Sequence, residues 1–95
     1  MAELKIKKDG PDLFSFQLQW KEDGKVRKQA ISFNKDGEAT KALSKGLYAL
    51  GWAVTGDPGD KFSFEVTLAD KSIAKKSGKL TDARRAVGGA VRVEV

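Results

Sequence analysis

The chain has 95 residues and a formal net charge of +5, and it contains neither cysteine nor histidine. Disulfide frameworks, thiolate metal sites and any mechanism that uses an imidazole are therefore excluded. This length suits one domain, residues 1–95, which must be held together by burial and for which no metal or cofactor is expected.

The first predicted elements are a strand and a hairpin. Apolar and polar residues alternate over residues 3–8, which is typical of a half-buried strand. Two longer alternating runs within residues 13–34 are joined by Asp23-Gly24. This dipeptide is the strongest short-range hairpin signal, because both central residues of a type I′ turn need a positive φ.

The turn also predicts the register of the hairpin. If Asp23 and Gly24 form the loop, the numbers of opposed residues sum to 47, and the hairpin acquires two faces. The core face has four opposed pairs: Phe14 with Phe33, Phe16 with Ile31, Leu18 with Gln29, and Trp20 with Arg27. The other face is polar and basic, lacks carboxylates, and includes Ser15, Gln17, Gln19, Lys21, Lys28 and Ser32.

The spacing of apolar residues then changes from two to about 3.6, which is the period of an α-helix. The residues at this spacing are Ala39, Leu43, Leu47 and Leu50. They predict an amphipathic helix over residues 36–50, capped by Asn34 or Asp36 and ended by Gly51. This helix is expected to cover the apolar face of the hairpin.

The remaining chain is predicted to form four strands and one helix. Residues 52–55 form a short strand, and after a turn-rich loop a longer strand places Phe62, Phe64, Val66 and Leu68 on one face. Residues 72–80 return as its partner, in a register that stays open because the apolar residues favour two neighbouring pairings. Thr81 then caps a short helix that Gly88-Gly89 ends, and residues 91–95 form a closing strand.

A short internal repeat suggests how these elements are arranged. DLFSF at residues 12–16 and DKFSF at residues 60–64 align, and similar elements follow each. Duplication, with half-repeats at about 12–55 and 60–95, is one explanation, and two strands that acquired a common pattern independently are the other. The predicted fold class is α+β, in which one antiparallel sheet carries both helices on one face. The core is expected to include Phe16, Phe33, Leu43, Leu47, Phe64 and Val66.

Two groups of residues are candidate nucleic-acid contacts, because lysines reach phosphates and glutamines reach base edges. The first group lies on the polar sheet face and consists of Lys5, Lys7, Gln17, Gln19, Lys21 and Lys28. The second is a basic cluster near the C-terminus, formed by Lys75, Lys76, Lys79, Arg84 and Arg85. An ordinary solvated surface is the alternative for both groups.

Trp20 and Arg27 are the candidate residues for a protein interface. They oppose each other near the tip of the hairpin, where the predicted helix does not reach, and an exposed Trp–Arg pair is typical of an interface hot spot. No pair of carboxylates and no Ser–Lys pair has a spacing that places both groups in one cleft, so no enzymatic activity is expected.

The stretch FSFQLQWKEDGKVRKQAISFNKDGEATKAL, within residues 12–47, resembles the arm-type DNA-binding domain of phage tyrosine integrases. In that family a strand, a turn, a basic strand and a helix follow one another, and the sheet face opposite the helix enters the major groove. The resemblance implies that Gln17, Gln19 and Lys28 face DNA. The same plan is similar to that of small phage inhibitors of the anti-CRISPR type, which bind a host protein complex.

The leading hypothesis is a small non-enzymatic protein, encoded by a phage or another mobile element, that binds DNA or RNA. The alternative is an inhibitor that blocks a host protein complex by occlusion. A third is an assembly protein that pairs through an exposed edge strand. Because the N-terminus lacks the apolar core of a signal peptide and no stretch is long and apolar enough to span a bilayer, no membrane contact and a cytoplasmic location are expected.

Overall fold

A computed structural model describes residues 1–95 as eight β-strands with no helix. The strands are β1 Ala2–Asp9, β2 Leu13–Glu22, β3 Lys25–Ala30, β4 Glu38–Leu43, β5 Leu47–Thr55, β6 Lys61–Leu68, β7 Lys71–Lys79 and β8 Ala86–Glu94. They form two antiparallel sheets, sheet I in the order β4-β1-β6-β7 and sheet II in the order β3-β2-β5-β8. The prediction of antiparallel pairing is confirmed, whereas the α+β class is wrong because the fold is all-β.

The two sheets bury one face each, and their inward side chains form a single apolar core. Phe64 lies at its centre, with ring centroids 5.2 Å from Phe16 and 4.9 Å from Trp52, so that aromatic side chains of both sheets interlock. Every buried residue is hydrophobic. The second sheet therefore supplies the cover that was predicted to come from helices, and the predicted single sheet is wrong.

The β2–β3 hairpin has the predicted register. Gln17 opposes Ala30, and Trp20 opposes Arg27. Asp23 and Gly24 have φ values of 52° and 77°, as a type I′ turn requires. The Ile31 N–H also donates a hydrogen bond to the Phe16 carbonyl at 3.0 Å, although β3 itself ends at Ala30. The predicted pairing of Phe14 with Phe33 is therefore not formed, and the Phe33 ring packs on Phe16 instead.

The predicted helix over residues 36–50 is wrong, since β4 and the first part of β5 occupy this segment. Ala39 and Leu43 are buried together because positions four residues apart share a face in a strand as well as in a helix. The discriminating pattern comes later, where the buried side chains of β5 alternate strictly: Tyr48, Leu50, Trp52 and Val54. Leu47 has the opposite parity and is 54% exposed, so its predicted place in the core is also wrong.

The second predicted helix is absent as well. The Thr81 hydroxyl does accept a hydrogen bond from the Arg84 N–H, at 3.1 Å, but the two residues close a turn instead of starting a helix. Gly88 and Gly89 then lie within β8, where they were expected to end the helix. A side chain at Gly89 would contact the Trp52 indole at 3.1 Å, so this glycine leaves room for the ring.

The register of the β6–β7 hairpin contains an irregularity that the sequence did not reveal. Phe62 opposes Gly78 and Leu68 opposes Lys71, and these two pairings differ by one residue because of a β-bulge at Val66/Thr67. This explains why the apolar residues favoured two neighbouring registers.

The strand order has an internal symmetry. Each strand of sheet I corresponds to the strand four places further along the chain, with counting restarted after β8. In this way β4, β1, β6 and β7 correspond to β8, β5, β2 and β3, which is the order of sheet II read from its other edge. The two FSF segments, in β2 and β6, hold equivalent positions under this operation. Duplication of the sequence remains a prediction. No helix of the length and hydropathy required to cross a membrane is present.

Candidate functional site

The residues of the predicted polar face lie on opposite sides of the sandwich. Lys5 and Lys7 of β1 belong to the outer face of sheet I. The other four belong to the outer face of sheet II: Gln17, Gln19, Lys21 and Lys28. The six residues therefore do not form one surface, and the two outer faces have to be considered separately.

One row of residues across the outer face of sheet I alternates in charge. Glu38, Lys7, Glu65 and Lys75 oppose one another across the four strands. The Lys7 ammonium lies 3.9 Å from a Glu38 carboxylate oxygen, and the Ser72 hydroxyl donates to Glu65 at 3.0 Å. Each lysine of this row thus has a carboxylate on a neighbouring strand, which is the arrangement of an ordinary solvated face.

The second predicted cluster is also divided. Lys75 and Lys79 point outward from sheet I, whereas Lys76 has the opposite parity on the exposed edge strand. Arg84 and Arg85 lie in the turn before β8, where the Arg85 guanidinium is 3.9 Å from the Asp82 carboxylate. At the far end of the β6–β7 hairpin, Lys79 directly opposes Lys61, and neither amine has a carboxylate within ion-pairing distance.

The outer face of sheet II has a floor of small side chains. Its central rows, read from β2 across β5 to β8, are Ser15-Ala53-Gly88, Gln17-Gly51-Ala90 and Gln19-Ala49-Arg92. The only carboxylate among the outward positions of these strands is that of Glu94, at a corner, 3.9 Å from the Arg92 guanidinium. The outward residues of β2, β3, β5 and β8 are called here the sheet II platform.

Large exposed hydrophobic residues are concentrated on the sheet II platform. Leu13, Val26 and Leu47 are 70%, 56% and 54% exposed, and all three point outward from this sheet. A shallow hollow of about 720 Å³ lies at the Leu47 end, above Ala49 and Ala90. Val26 and Leu47 both line this hollow, whereas Leu13 lies at the other end of β2, and a contiguous apolar hollow of this kind is a candidate interaction site.

Basic side chains border the same surface. Lys21 and Arg92 line the hollow from its two sides, and Lys28 lies in the row of Gln19. The Gln19 amide donates to the Gln17 side-chain oxygen at 3.2 Å, so these two predicted base-reading groups bond to each other. The hollow at the Leu47 end of the platform is therefore apolar and is bordered by basic side chains.

Trp20 and Arg27 oppose each other as predicted, but they do not form an exposed pair. The Trp20 ring is half-buried and packs on Tyr48, with ring centroids 5.9 Å apart. The Arg27 guanidinium lies 3.8 Å from the Glu22 carboxylate. The alternative interface residues thus have partners within the chain.

The part of the platform that β5 and β8 contribute was not predicted from the sequence. Ala49 was assigned to a helix, and Gly51 and Gly88 were interpreted as helix ends. The signal that could have found them is the strict alternation from Tyr48 to Val54, which places the intervening small residues on one outward face.

The geometry provides exposed sheet faces for binding, and a mainly polar hollow of about 410 Å³ lies near Lys21, Lys41 and Tyr48. The buried residues include no polar or charged side chain, and no group of three acidic residues is placed to hold a metal ion. Comparison of the chain with protein-family models, with curated proteins and with solved structures gives no match.

Proposed function

We propose that this chain is a non-enzymatic binding protein and that the sheet II platform docks a partner protein. The observation that carries the proposal is the contrast within one surface: three large hydrophobic side chains are exposed on it, while its only carboxylate lies at a corner. Small side chains keep the floor flat, so a partner can approach the backbone of sheet II closely.

The basic border defines the chemistry of the partner. Lys21, Lys28 and Arg92 are left with one carboxylate among them, which favours a partner whose apolar centre is bordered by aspartate or glutamate. Exposed charges at the border of the hollow mainly accelerate association, whereas the apolar hollow beside Leu47, desolvated by the partner, contributes most of the affinity.

The platform is less suited to nucleic acid. Proteins that bind single strands combine a basic groove with exposed aromatic rings, and here the rings of Phe14, Phe16, Phe62 and Phe64 are buried. Three cations beside an apolar hollow also provide few phosphate contacts.

The test uses two variants on the platform and one on the opposite face. Lys21→Glu and Leu47→Asp change the basic border and the apolar part of the hollow, and Lys5→Glu makes the same charge change as Lys21→Glu on the outer face of sheet I. The tagged chain is used to capture partners from a nuclease-treated bacterial lysate. We expect the same protein to be retained by the wild type and by Lys5→Glu and to be lost with both platform variants.

Retention of that protein by the platform variants, or its loss with Lys5→Glu, would contradict the proposal. Capture that depends on intact nucleic acid would favour the other class of partner.

A second candidate function, polyanion binding, is favoured by the Lys61–Lys79 pair. Like charges directly opposed on adjacent strands are destabilising, so this pair is more easily explained if it neutralises an anion. Each phosphate contact contributes about 0.9 to the slope of log K against log salt, so Lys79→Gln is expected to lower this slope by roughly one unit. The absence of DNA and RNA binding at low ionic strength would exclude this function.

A further inference from the structure

The four edge strands of the sandwich differ in how their free hydrogen-bonding groups are protected. Alternate residues of an edge strand direct both backbone groups away from the sheet, where they can pair with another strand. Proteins usually block such edges with short strands, lysines, bulges or covering loops. Three of the four edges here carry one of these devices.

β3 has only six residues and carries Lys25, Arg27 and Lys28. β4 is equally short, and at Glu38 its free edge is covered by Asn34: the Asn34 side-chain oxygen accepts from the Glu38 N–H at 3.0 Å, and the Asn34 N–H donates to the Glu38 carbonyl at 2.9 Å. β7 contains four lysines and pairs with β6 across the bulge.

β8 carries none of these devices. It has nine residues, AVGGAVRVE, with one base and one acid, and its pairing with β5 is regular throughout. The Gly46 and Val95 backbones exchange hydrogen bonds in both directions, at 3.1 and 2.8 Å. By the alternation of an antiparallel ladder, the odd-numbered residues of β8 bond to β5 and the even-numbered ones are free. The free residues are Ala86, Gly88, Ala90, Arg92 and Glu94.

We propose that two copies of this chain pair antiparallel through β8, with the twofold axis at Ala90. In this register each free residue faces a free residue of the other copy: Ala90 faces Ala90, Gly88 faces Arg92, and Ala86 faces Glu94. Five opposed pairs then exchange about ten backbone hydrogen bonds, two for each pair. All nine residues of the strand are used.

The length of β8 favours this register, because registers centred on Gly89 or Val91 also oppose free residues but form only four such pairs within Ala86–Glu94, and size and charge disfavour the other registers. The two long side chains, Arg92 and Glu94, face the two small residues Gly88 and Ala86, and on the inner side Val91 faces Gly89. A register centred on Arg92 opposes two guanidinium groups, and one centred on Gly88 opposes Arg92 with Arg84, so both place like charges face to face.

Pairing in this way would convert sheet II into a continuous eight-stranded sheet. Two sheet II platforms would then lie side by side on one surface. The inference does not rest on the proposed function, because it concerns only the purified chain.

The first test introduces a cysteine, which is unique because the natural chain has none. Ala90→Cys places two thiols across the twofold axis, at a Cα separation of about 5.5 Å that a disulfide can bridge. Ala30→Cys is the matched control, since Ala30 is also a small, outward-facing residue on a free edge of sheet II. Under mild oxidation we expect disulfide-linked dimers from Ala90→Cys and mostly monomers from Ala30→Cys.

The second test measures mass against concentration by sedimentation. The wild type is expected to form dimers, and Ala90→Lys, which places two ammonium groups at the axis, is expected to weaken them at least about tenfold. Ala53→Lys adds the same charge to the same sheet on the central strand β5 and should leave the dimer intact.

Amide exchange reports on the register. Dimer formation should slow exchange at Gly88, Ala90 and Arg92, with no comparable change at Val91 and Val93, whose amides already bond within the monomer. A wild-type chain that stays monomeric up to about 1 mM, where even a weak dimer would be populated, overturns the proposal. So does a dimer that Ala90→Lys leaves unchanged.

Discussion

The outer faces of the two sheets are both formed by antiparallel strands, but charged side chains are distributed differently on them. On sheet I, Glu38, Lys7, Glu65 and Lys75 alternate across the strands, so that each charge has an opposite neighbour. On sheet II, the outward positions carry small residues in the centre, exposed leucine and valine, and basic side chains at the rim.

This difference shows that the inward and the outward residues of a strand are subject to separate constraints. The inward residues of both sheets must fill one core, and they do so with similar apolar side chains. The outward residues are free of that requirement. Where outward side chains on neighbouring strands have opposite charges, they satisfy one another and the face can remain exposed to water. Where basic or large apolar side chains lack such neighbours, they indicate a partner.

The largest effect on stability is expected from a substitution in the core that the two sheets share. Phe64→Ala removes a ring that contacts both sheets and should lower the free energy of unfolding by about 3–5 kcal/mol, a large share of the stability of a small domain. Phe33→Ala, at a half-buried position outside the strands, should cost less. Denaturant unfolding followed by tryptophan fluorescence and by circular dichroism measures both.

The comparison of the two faces requires that they share one core. If Phe64→Ala produced two separate transitions, one for each sheet, the sheets would be independent folding units.

An intermediate effect is expected on binding. Leu47→Asp should reduce the affinity for the captured partner by about 2 kcal/mol, roughly thirtyfold, because it places a charge in the apolar hollow of the sheet II platform. The free energy of unfolding should fall by no more than about 1 kcal/mol, because the side chain is more than half exposed and the new carboxylate meets only the Glu94 carboxylate across the strands. The two quantities are measured by calorimetric titration and by denaturant unfolding.

A loss of stability of several kcal/mol in Leu47→Asp would show that this residue supports the fold, and its exposure could then no longer be used as an argument for docking.

The smallest effects are expected on the free energy of unfolding when the charge pattern of sheet I is changed. The test depends on the signs of these effects more than on their size. Lys75→Glu places a carboxylate opposite Glu65 and should destabilise the chain by about 0.2–1 kcal/mol. Lys79→Glu makes the same charge change on the same strand, but it converts the opposed Lys61–Lys79 pair into an attractive one and should stabilise the chain by a similar amount. Both differences should shrink in high salt.

Equal effects of the two substitutions would mean that cross-strand pairing does not govern this face, and the contrast between the faces would lose its physical basis.

The parts of the fold that were predicted correctly depend on local signals. Asp23-Gly24 specifies the turn and hence the register of β2 and β3, without any information from elsewhere in the chain. The helix over residues 36–50 was predicted wrongly because a spacing of four, as between Ala39 and Leu43, satisfies a strand as well as a helix. Neither residue reveals which period applies.

The sheet II platform could not be predicted for a related reason. It is assembled from strands that are distant in sequence, and the identity of the neighbour of β2 decides what lies beside Gln17. The structure places Gly51 there, a residue that sequence reasoning had used as the end of a helix. An error in one element thus removed half of the candidate surface.

The strand order also has a consequence for how the chain folds. Only two of the six strand pairings, β2–β3 and β6–β7, join neighbours in sequence. The other four pairings, of β1 with β4 and β6 and of β5 with β2 and β8, join strands distant in sequence, so most of the loop-closure entropy is lost before the contacts that compensate for it can form. Refolding is therefore expected in milliseconds to seconds, with the two hairpins forming first, and newly made β1 has no partner in sheet I until Glu38–Leu43 has been synthesised.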